Sequence, residues 1–81
     1  MKKEILVIVP AYNEEGSISG VIREIKESLP ESEILVVDDG SSDKTAELAK
    51  KEADFCITLP FHLGLGSALQ TGYIFAQEKG Y

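Results

Sequence analysis

The feature that most constrains the fold of this chain is an apolar run, residues 34–37 (Ile-Leu-Val-Val), that leads directly into two aspartates, Asp38 and Asp39. Gly40 and two serines follow, and then a sequence that favours a helix. A short, unbroken apolar run bounded by turn residues predicts a strand buried on both faces, as in parallel sheets. Ligands of open α/β sheets bind at the carboxyl ends of such strands. We therefore expect the aspartate pair to lie on the rim where ligands bind.

The same strand-to-helix unit occurs three times. The first predicted strand, residues 5–9, is stopped by Pro10, because proline cannot donate to a central ladder. The third predicted strand, residues 55–59, is ended by Pro60 in the same way. Each strand is followed by apolar or alanine residues at helical spacing. Right-handed crossovers then predict an α/β fold in three layers, with three parallel strands alternating with three helices as the Rossmann-like nucleotide-binding half of a doubly wound sheet.

The ends of the predicted helices carry capping residues. Asn13 or Ser17 is the expected N-cap of the first helix, and Ser41 or Ser42 that of the second. Asp43 favours the dipole of the second helix. The third helix is apolar on most of its surface, so we expect it to be covered on more than one side. Gly80 is its predicted C-terminal stop.

Charge and composition exclude several functions. With 14 acidic and 8 basic residues the net charge is −6, which argues against a nucleic-acid binder but permits a phosphorylated small molecule. The 81 residues suffice for one small domain, and no apolar run is long enough to form a membrane segment. The single cysteine, Cys56, is predicted to be a core thiol; it rules out an internal disulfide and fits a cytoplasmic location.

Three rim loops, residues 10–15, 38–43 and 62–67, bring polar side chains to the same end of the predicted sheet. Such a set of side chains suits recognition of a nucleoside, because carboxylates can accept hydrogen bonds from base N–H groups or ribose hydroxyls and an aromatic ring such as Tyr12 can stack on the base. Two like charges at a strand end cost energy unless something offsets them, so Asp38 and Asp39 are predicted to contact a ligand. Glu14 is either a first-turn helix residue or a ligand contact. His62 is predicted to be a loop or partly packed histidine.

Three segments together carry a resemblance to a known family: residues 7–15 (VIVPAYNEE), 36–43 (VVDDGSSD) and 62–68 (HLGLGSA). In this order and spacing they resemble the N-terminal part of a family 2 glycosyltransferase, the inverting type with the A-type nucleotide-binding fold. The match extends over essentially the whole chain. The glycine-rich third segment resembles the dolichyl-phosphate or polyprenyl-phosphate sugar transferase subgroup.

The resemblance implies transfer of a sugar from a UDP- or GDP-sugar to an acceptor, with polyprenyl phosphate as the candidate acceptor. It implies a nucleotide pocket in which Asp39 is the first choice for the contact to base or ribose. The residues assigned to that pocket are Pro10, Ala11, Tyr12, Glu14, Asp38, Asp39 and Gly40. A more weakly indicated loop near the diphosphate comprises Gly64, Gly66 and Ser67.

The resemblance also implies a divalent metal, Mg²⁺ or Mn²⁺, that neutralises the diphosphate leaving group of the full-length parent. In the family the metal-holding Asp-x-Asp segment follows the third helix, and Tyr81 precedes that point. We therefore expect residues 1–81 to be one truncated nucleotide-sugar-binding domain that holds no metal ligand or catalytic residue and is inactive alone. Its parent is expected in the cytoplasm, at the cytoplasmic face of the membrane.

Two other interpretations stay open. A receiver-like signalling domain would use the acidic pair as a magnesium site, although in that fold the pair follows the opening strand and a phosphorylatable aspartate comes two strands later. A non-catalytic α/β module would self-associate through an open sheet edge, where the backbone of the first strand is unpaired. The second interpretation is compatible with a glycosyltransferase origin.

Overall fold

A computed structural model describes residues 4–81 of the chain, so residues 1–3 of the predicted domain lie outside the described residues. All three strands pair in parallel in the order β1-β2-β3, so the predicted alternation of strands and helices is confirmed. The elements are β1 (Ile5–Ala11), α1 (Ile18–Ser28), β2 (Ser32–Asp38), α2 (Thr45–Glu52), β3 (Phe55–Thr58) and α3 (Leu65–Lys79).

β2 lies at the centre of the sheet because its apolar run can be covered on both faces. Ile34 and Val36 pack with Ile18 and Ile22 of α1 on one face. The alternating residues of the strand, Leu35 and Val37, pack with Ala68 of α3 on the other. Helices α1 and α2 therefore form one layer and α3 the opposite layer, which confirms the predicted three-layer arrangement.

Cys56 lies on β3 and packs against the core beneath α1 and α2. It is a free thiol, and burial raises its pKa above the ordinary value. The predicted core role of this cysteine is therefore confirmed in part, since the side chain is half-buried against the core, and the raised pKa makes it a poor nucleophile at neutral pH.

The prediction that Pro10 ends the first strand is wrong, since β1 continues through Ala11. The Ala11 carbonyl accepts a hydrogen bond from the backbone N–H of Asp39 at 2.8 Å. In a parallel strand the backbone groups of successive residues point alternately to the two neighbouring strands. The nitrogen of Pro10 therefore points away from β2, to the side of β1 on which the described sheet has no further strand, and no ladder bond is lost. The position of β1 at the edge of the sheet thus allows a proline inside the strand.

The predicted N-cap is confirmed for the first helix and wrong for the second. Ser17 is the N-cap residue of α1, although its side chain makes no capping hydrogen bond. Lys44, rather than Ser41 or Ser42, directly precedes α2. At the other end of the molecule Gly80 adopts the left-handed conformation (φ 82°) after α3, as its role as a stop predicts.

Helix α3 crosses over β2 to reach β1. At the crossing a Cβ on Gly72 would lie 2.5 Å from Cγ2 of Ile8, so the two elements approach closely. The opposite side of the helix is open to solvent, with Leu65 and Tyr73 each 63% exposed and Ile74 50% exposed. The expectation that α3 is covered on more than one side is therefore wrong for the described chain, in which only the sheet covers it.

Candidate functional site

An open cleft of about 170 Å³ lies at the carboxyl ends of the strands. Five residues predicted for the nucleotide pocket line it, and three further residues join them. The predicted residues are Pro10, Ala11, Tyr12, Glu14 and Asp39; the others are His62, Leu65 and Ala68. The remaining predicted residues do not line this cleft, namely Asp38, Gly40, Gly64, Gly66 and Ser67.

The two neighbouring aspartates have different surroundings. Asp38 is fully buried and, as the next residue in phase with Ile34 and Val36, faces the layer of α1 and α2. Its Oδ1 accepts a hydrogen bond from the backbone N–H of Ser41 at 3.3 Å, and its Oδ2 has no partner among residues 4–81. Asp39 contacts the third rim loop instead. The two carboxylates therefore do not share one site.

Asp39 fastens the third rim loop to the end of β2. Its Oδ1 accepts a hydrogen bond from the backbone N–H of Leu63, and its Oδ2 accepts one from that of Gly64, both at 2.8 Å. The imidazole Nδ1 of His62 lies 2.9 Å from the same Oδ2. The bond from Leu63 is the largest cause that lowers the pKa of Asp39; burial opposes it, and Gly64 and His62 add to the lowering. The carboxylate is thus ionised at neutral pH.

His62 connects the third rim loop to the first. Its ring stacks on that of Tyr12, with centroids 3.7 Å apart and planes at 25°. Its side chain is 52% exposed, which agrees with the predicted partly packed loop histidine. The position of this loop on the rim was predicted, but the two contacts of the ring were not, because Asp39 and Tyr12 lie 23 and 50 residues away along the chain. Only a sequence motif known to bring Tyr12, Asp39 and His62 together would predict these two contacts.

Gly40 permits the close approach of the second and third loops. Its φ is +72°, a region that residues with a Cβ rarely adopt. A Cβ at this position would lie 2.5 Å from the carbonyl carbon of Phe61 and 2.7 Å from the nitrogen of His62. The glycine therefore contributes to the site by allowing the backbone of the third loop to pack against the second.

The first and second loops are joined by bonds between side chains and backbone. Asn13, in the left-handed region (φ 50°), donates its backbone N–H to Oγ of Ser41 at 2.8 Å. Its side-chain oxygen accepts from the backbone N–H of Ser42 at 2.9 Å. The serines predicted as helix caps thus hold the first loop.

The start of α2 continues this connection. Thr45 is fully buried, and its Oγ1 accepts the backbone N–H of Glu14 at 2.7 Å. Asp43 accepts the backbone N–H of Thr45 at 2.9 Å, which supports its predicted role at the helix start, and that of Glu15 at 3.2 Å. The hydroxyl of Thr45 is the largest cause that lowers the pKa of Asp43.

The alternatives for Glu14 are resolved in part. It lies outside α1, although its carbonyl oxygen accepts the backbone N–H of Ile18, the first helical residue, at 2.9 Å. Its side chain is exposed and lines the cleft. It is therefore a loop residue with an exposed carboxylate, of which Oε1 accepts a long hydrogen bond (3.4 Å) from the backbone N–H of Tyr12.

The described residues do not fit a metal site. Within residues 4–81 no three His, Cys, Asp or Glu side chains are grouped so that they could hold an ion. This agrees with the divergence of Asp38 and Asp39, whose carboxylates have different partners. In the same part of the chain no helix combines the length and apolarity needed to cross a bilayer.

An open parallel sheet that alternates with helices and has a cleft where its strands end defines the class of Rossmann-like α/β domains. The model of glycosyl transferase family 2 matches residues 6–81. The chain belongs to this family.

Individual relatives agree with this assignment. The chain is 48% identical to an uncharacterized protein of Methanocaldococcus jannaschii over 71 residues, which cover 88% of this chain and 29% of that one. It is 35% identical to an undecaprenyl-phosphate mannosyltransferase of Micrococcus luteus over 82 aligned positions, covering 95% of this chain and 34% of the relative. The chain thus spans about a third or less of the length of these relatives.

A solved structure supports the fold. A mannosyltransferase from Pyrobaculum calidifontis, in complex with GDP-Man and Mn²⁺, superimposes with a TM-score of 0.79 and 26% sequence identity. The match covers 94% of this chain and 25% of that one. The predicted A-type glycosyltransferase fold and the resemblance to the polyprenyl-phosphate sugar transferases are thereby confirmed.

Proposed function

We propose that this chain is the donor-binding part of a glycosyltransferase and that its cleft binds a nucleoside diphosphate sugar. The observation that carries the proposal is the convergence of Pro10, Ala11, Tyr12 and Glu14 with Asp39, which lies more than twenty residues further along the chain, around one cleft. This cleft lies at the carboxyl ends of the strands, where open α/β sheets bind their ligands.

The lining provides the chemistry that a nucleoside requires. Pro10 and Ala11 offer apolar surface to a base, and the exposed carboxylate of Glu14 is an acceptor for ribose hydroxyls. On the opposite side the first turn of α3 borders the cleft through Leu65 and Ala68. The unpaired N–H groups of a helix N-terminus favour an anion, so the diphosphate is assigned to this turn, which contains Gly66 and Ser67.

The remaining assignments for the full-length protein rest on similarity. The relative from Micrococcus luteus is named an undecaprenyl-phosphate mannosyltransferase, which supports polyprenyl phosphate as the acceptor class. The location at the cytoplasmic face of the membrane stays a prediction. The structural neighbour contains Mn²⁺, which supports Mn²⁺ or Mg²⁺ as the cofactor of the full-length protein. Since residues 4–81 do not form a metal site, the ligands of that ion are proposed to lie outside them.

Self-association is a second, independent prediction. β1 pairs with β2 on one side only, so its other edge presents unpaired backbone groups in the described sheet. Light scattering over a concentration series measures this directly. A constant monomer mass up to high protein concentration would contradict it.

The experiment that tests nucleotide binding is a titration of this chain with GDP and UDP, each with and without a metal ion. Calorimetry with Mn²⁺ measures the affinity, and NMR with diamagnetic Mg²⁺ shows which residues respond. We expect the amide signals of Tyr12, Glu14 and Asp39 to shift with one of the nucleotides, and the metal to add little. Glu14→Gln should weaken binding, whereas Glu24→Gln, an exposed change on α1, should leave it unchanged. If neither nucleotide shifts any signal of the folded chain, the proposed function is wrong.

A further inference from the structure

The carboxylate expected to contact the base is already occupied. The two oxygens of Asp39 accept hydrogen bonds from the backbone N–H groups of Leu63 and Gly64, and Oδ2 also lies 2.9 Å from Nδ1 of His62. Its side chain is only 5% exposed. Asp39 therefore presents little surface to a ligand, although it borders the cleft.

The imidazole of His62, in contrast, is held in place and still accessible. Asp39 fixes one ring nitrogen, and the stacking contact with Tyr12 fixes the plane of the ring. About half of the side chain is exposed, and the ring lines the cleft. Nε2 makes no hydrogen bond to any residue of the described chain, so it is available to a ligand.

The contact with Asp39 also determines the tautomer. A carboxylate accepts hydrogen bonds only, so the neutral imidazole carries its proton on Nδ1 and donates it to Asp39. Nε2 then presents a lone pair to the cleft. An acceptor at this position favours a ligand group that carries an N–H.

We propose that His62 recognises the nucleobase: its Nε2 accepts a hydrogen bond from the ring N–H of uracil or guanine, and Asp39 is the positioning residue that fixes the tautomer. This inference rests on the proposed function. Uracil N3–H and guanine N1–H are donors, whereas adenine N1 and cytosine N3 are acceptors that would face the lone pair of Nε2. Two acceptors that face each other share no proton and repel each other, so this contact at the half-exposed imidazole favours uracil and guanine over the latter two bases.

The stacking contact limits how the base enters. One face of the Tyr12 ring is covered by the imidazole, so a base cannot stack there while this contact persists. The two rings together form a rigid aromatic unit at the edge of the cleft. The predicted stacking of a base directly on Tyr12 is therefore restricted to its free face.

Variants that imitate each ring nitrogen separately test the proposal. His62→Asn retains an N–H near the position of Nδ1 and removes Nε2. His62→Gln places a carbonyl oxygen near the position of Nε2. His62→Phe retains the stacking on Tyr12 without either nitrogen. Calorimetric titrations at pH 8 with GDP, UDP, ADP and CDP then compare all four proteins, after circular dichroism has verified that each is folded.

We expect the wild-type chain to bind GDP or UDP about tenfold more tightly than ADP and CDP, the effect of one hydrogen bond between partly buried groups. The Asn and Phe variants should lose this preference, and the Gln variant should recover part of it. If His62 had only a structural role, the substitutions would weaken the binding of all four nucleotides equally. Equal affinities of the wild-type chain for the four nucleotides, or a preference unchanged in the Asn and Phe variants, would overturn the proposal.

The tautomer is measured without any substitution. In long-range ¹H–¹⁵N spectra of the free chain, the two nitrogens of His62 should show the Nδ1–H form at pH 8, and the Nε2 signal should move when the preferred nucleotide binds. An Nε2–H form would contradict the proposal. If the chain binds none of the four nucleotides, the proposed function itself fails; if it binds one with an unchanged Nε2 signal, only the role of His62 fails.

Discussion

The three rim loops are joined in two different ways. The first junction, between residues 12–15 and 41–45, consists of several hydrogen bonds in which separate side chains each accept one backbone N–H. The second junction, between residues 39–40 and 61–64, depends on one carboxylate with three donors and one glycine against which a backbone packs. The first distributes its stability over many atoms, whereas the second concentrates it in two adjacent residues.

This difference predicts how each junction responds to substitution. A single intramolecular hydrogen bond contributes about 1 kcal/mol net, so the loss of one among several is tolerated. A carboxylate that accepts several donors has no replacement, and a backbone contact cannot be relieved by a rotamer change. We therefore expect the substitutions at the second junction to be the more damaging.

The largest effect is expected for Gly40→Ala. Gly40 has a positive φ, and a new Cβ would lie 2.5 Å from the backbone of Phe61. Both features oppose the substitution, which should therefore lower the unfolding free energy by about 3 kcal/mol. Urea denaturation followed by circular dichroism measures it. Gly20→Ala is the matched control: Gly20 lies within α1 with open space around it, so alanine should stabilise the chain slightly. A loss at Gly40 no larger than 1 kcal/mol would show that the third loop can move away.

Asp39→Asn should have the next largest effect. The amide keeps the shape of the carboxylate but has one acceptor oxygen, so Leu63 or Gly64 loses its partner. We expect the hydrogen-exchange protection of these two amides to fall by about tenfold or more, with little change in the central strand β2. Unchanged protection would show that the loop is held by other contacts.

The same variant alters the acid dependence of stability. Because the pKa of Asp39 is lowered in the folded chain, its stabilisation is fully present above the unfolded carboxyl pKa of about 3.9 and is lost as the pH falls through the lower folded value. Asp39→Asn should therefore flatten the fall in stability below about pH 4. Asp43, at the first junction, also has a lowered pKa, with the hydroxyl of Thr45 as the largest cause, so Asp43→Asn should flatten the curve in the same direction.

At the first junction the largest effect is expected for Thr45→Val. The side chains have the same shape, and Thr45 is fully buried, so the substitution removes the acceptor of the Glu14 N–H without creating a cavity. We expect a loss of about 1.5 kcal/mol in unfolding free energy. Ser41→Ala, which removes one exposed acceptor of the same junction, is the control and should cost less. Equal losses would mean that burial does not determine the contribution of these bonds.

The parts of the fold that sequence predicted correctly are those set by local pattern. The burial of the strand at residues 34–37 and the end of α3 at Gly80 were both predicted, because each is determined by residues that are adjacent in sequence. Pro10 was misjudged because its tolerance depends on β1 being an edge strand. Strand order is a property of the whole sheet and cannot be predicted from a five-residue pattern.

The site shows the same division. The rim position of Tyr12, Glu14 and Asp39 follows from strand ends and was predicted. Ser41 was assigned to a local cap, yet it accepts a backbone N–H from a residue 28 positions away. A nearby helix start and a distant loop compete for the same hydroxyl, and only the packing of the loops decides between them. The stacking of His62 on Tyr12 was missed for the same reason.

The smallest effect is expected for Asn13→Gly. This substitution separates the contribution of the side-chain hydrogen bond of Asn13 from that of its positive φ. Glycine adopts the positive φ of 50° without strain but lacks the side-chain oxygen that accepts the Ser42 N–H. That bond is exposed, so its loss should cost about 0.5 kcal/mol, whereas Asn13→Ala adds backbone strain and should cost about 1.5 kcal/mol. Urea denaturation of both variants measures the difference. If the glycine variant were as unstable as Gly40→Ala, the first junction would depend on a single residue as the second does, and the distinction between the two junctions would be wrong.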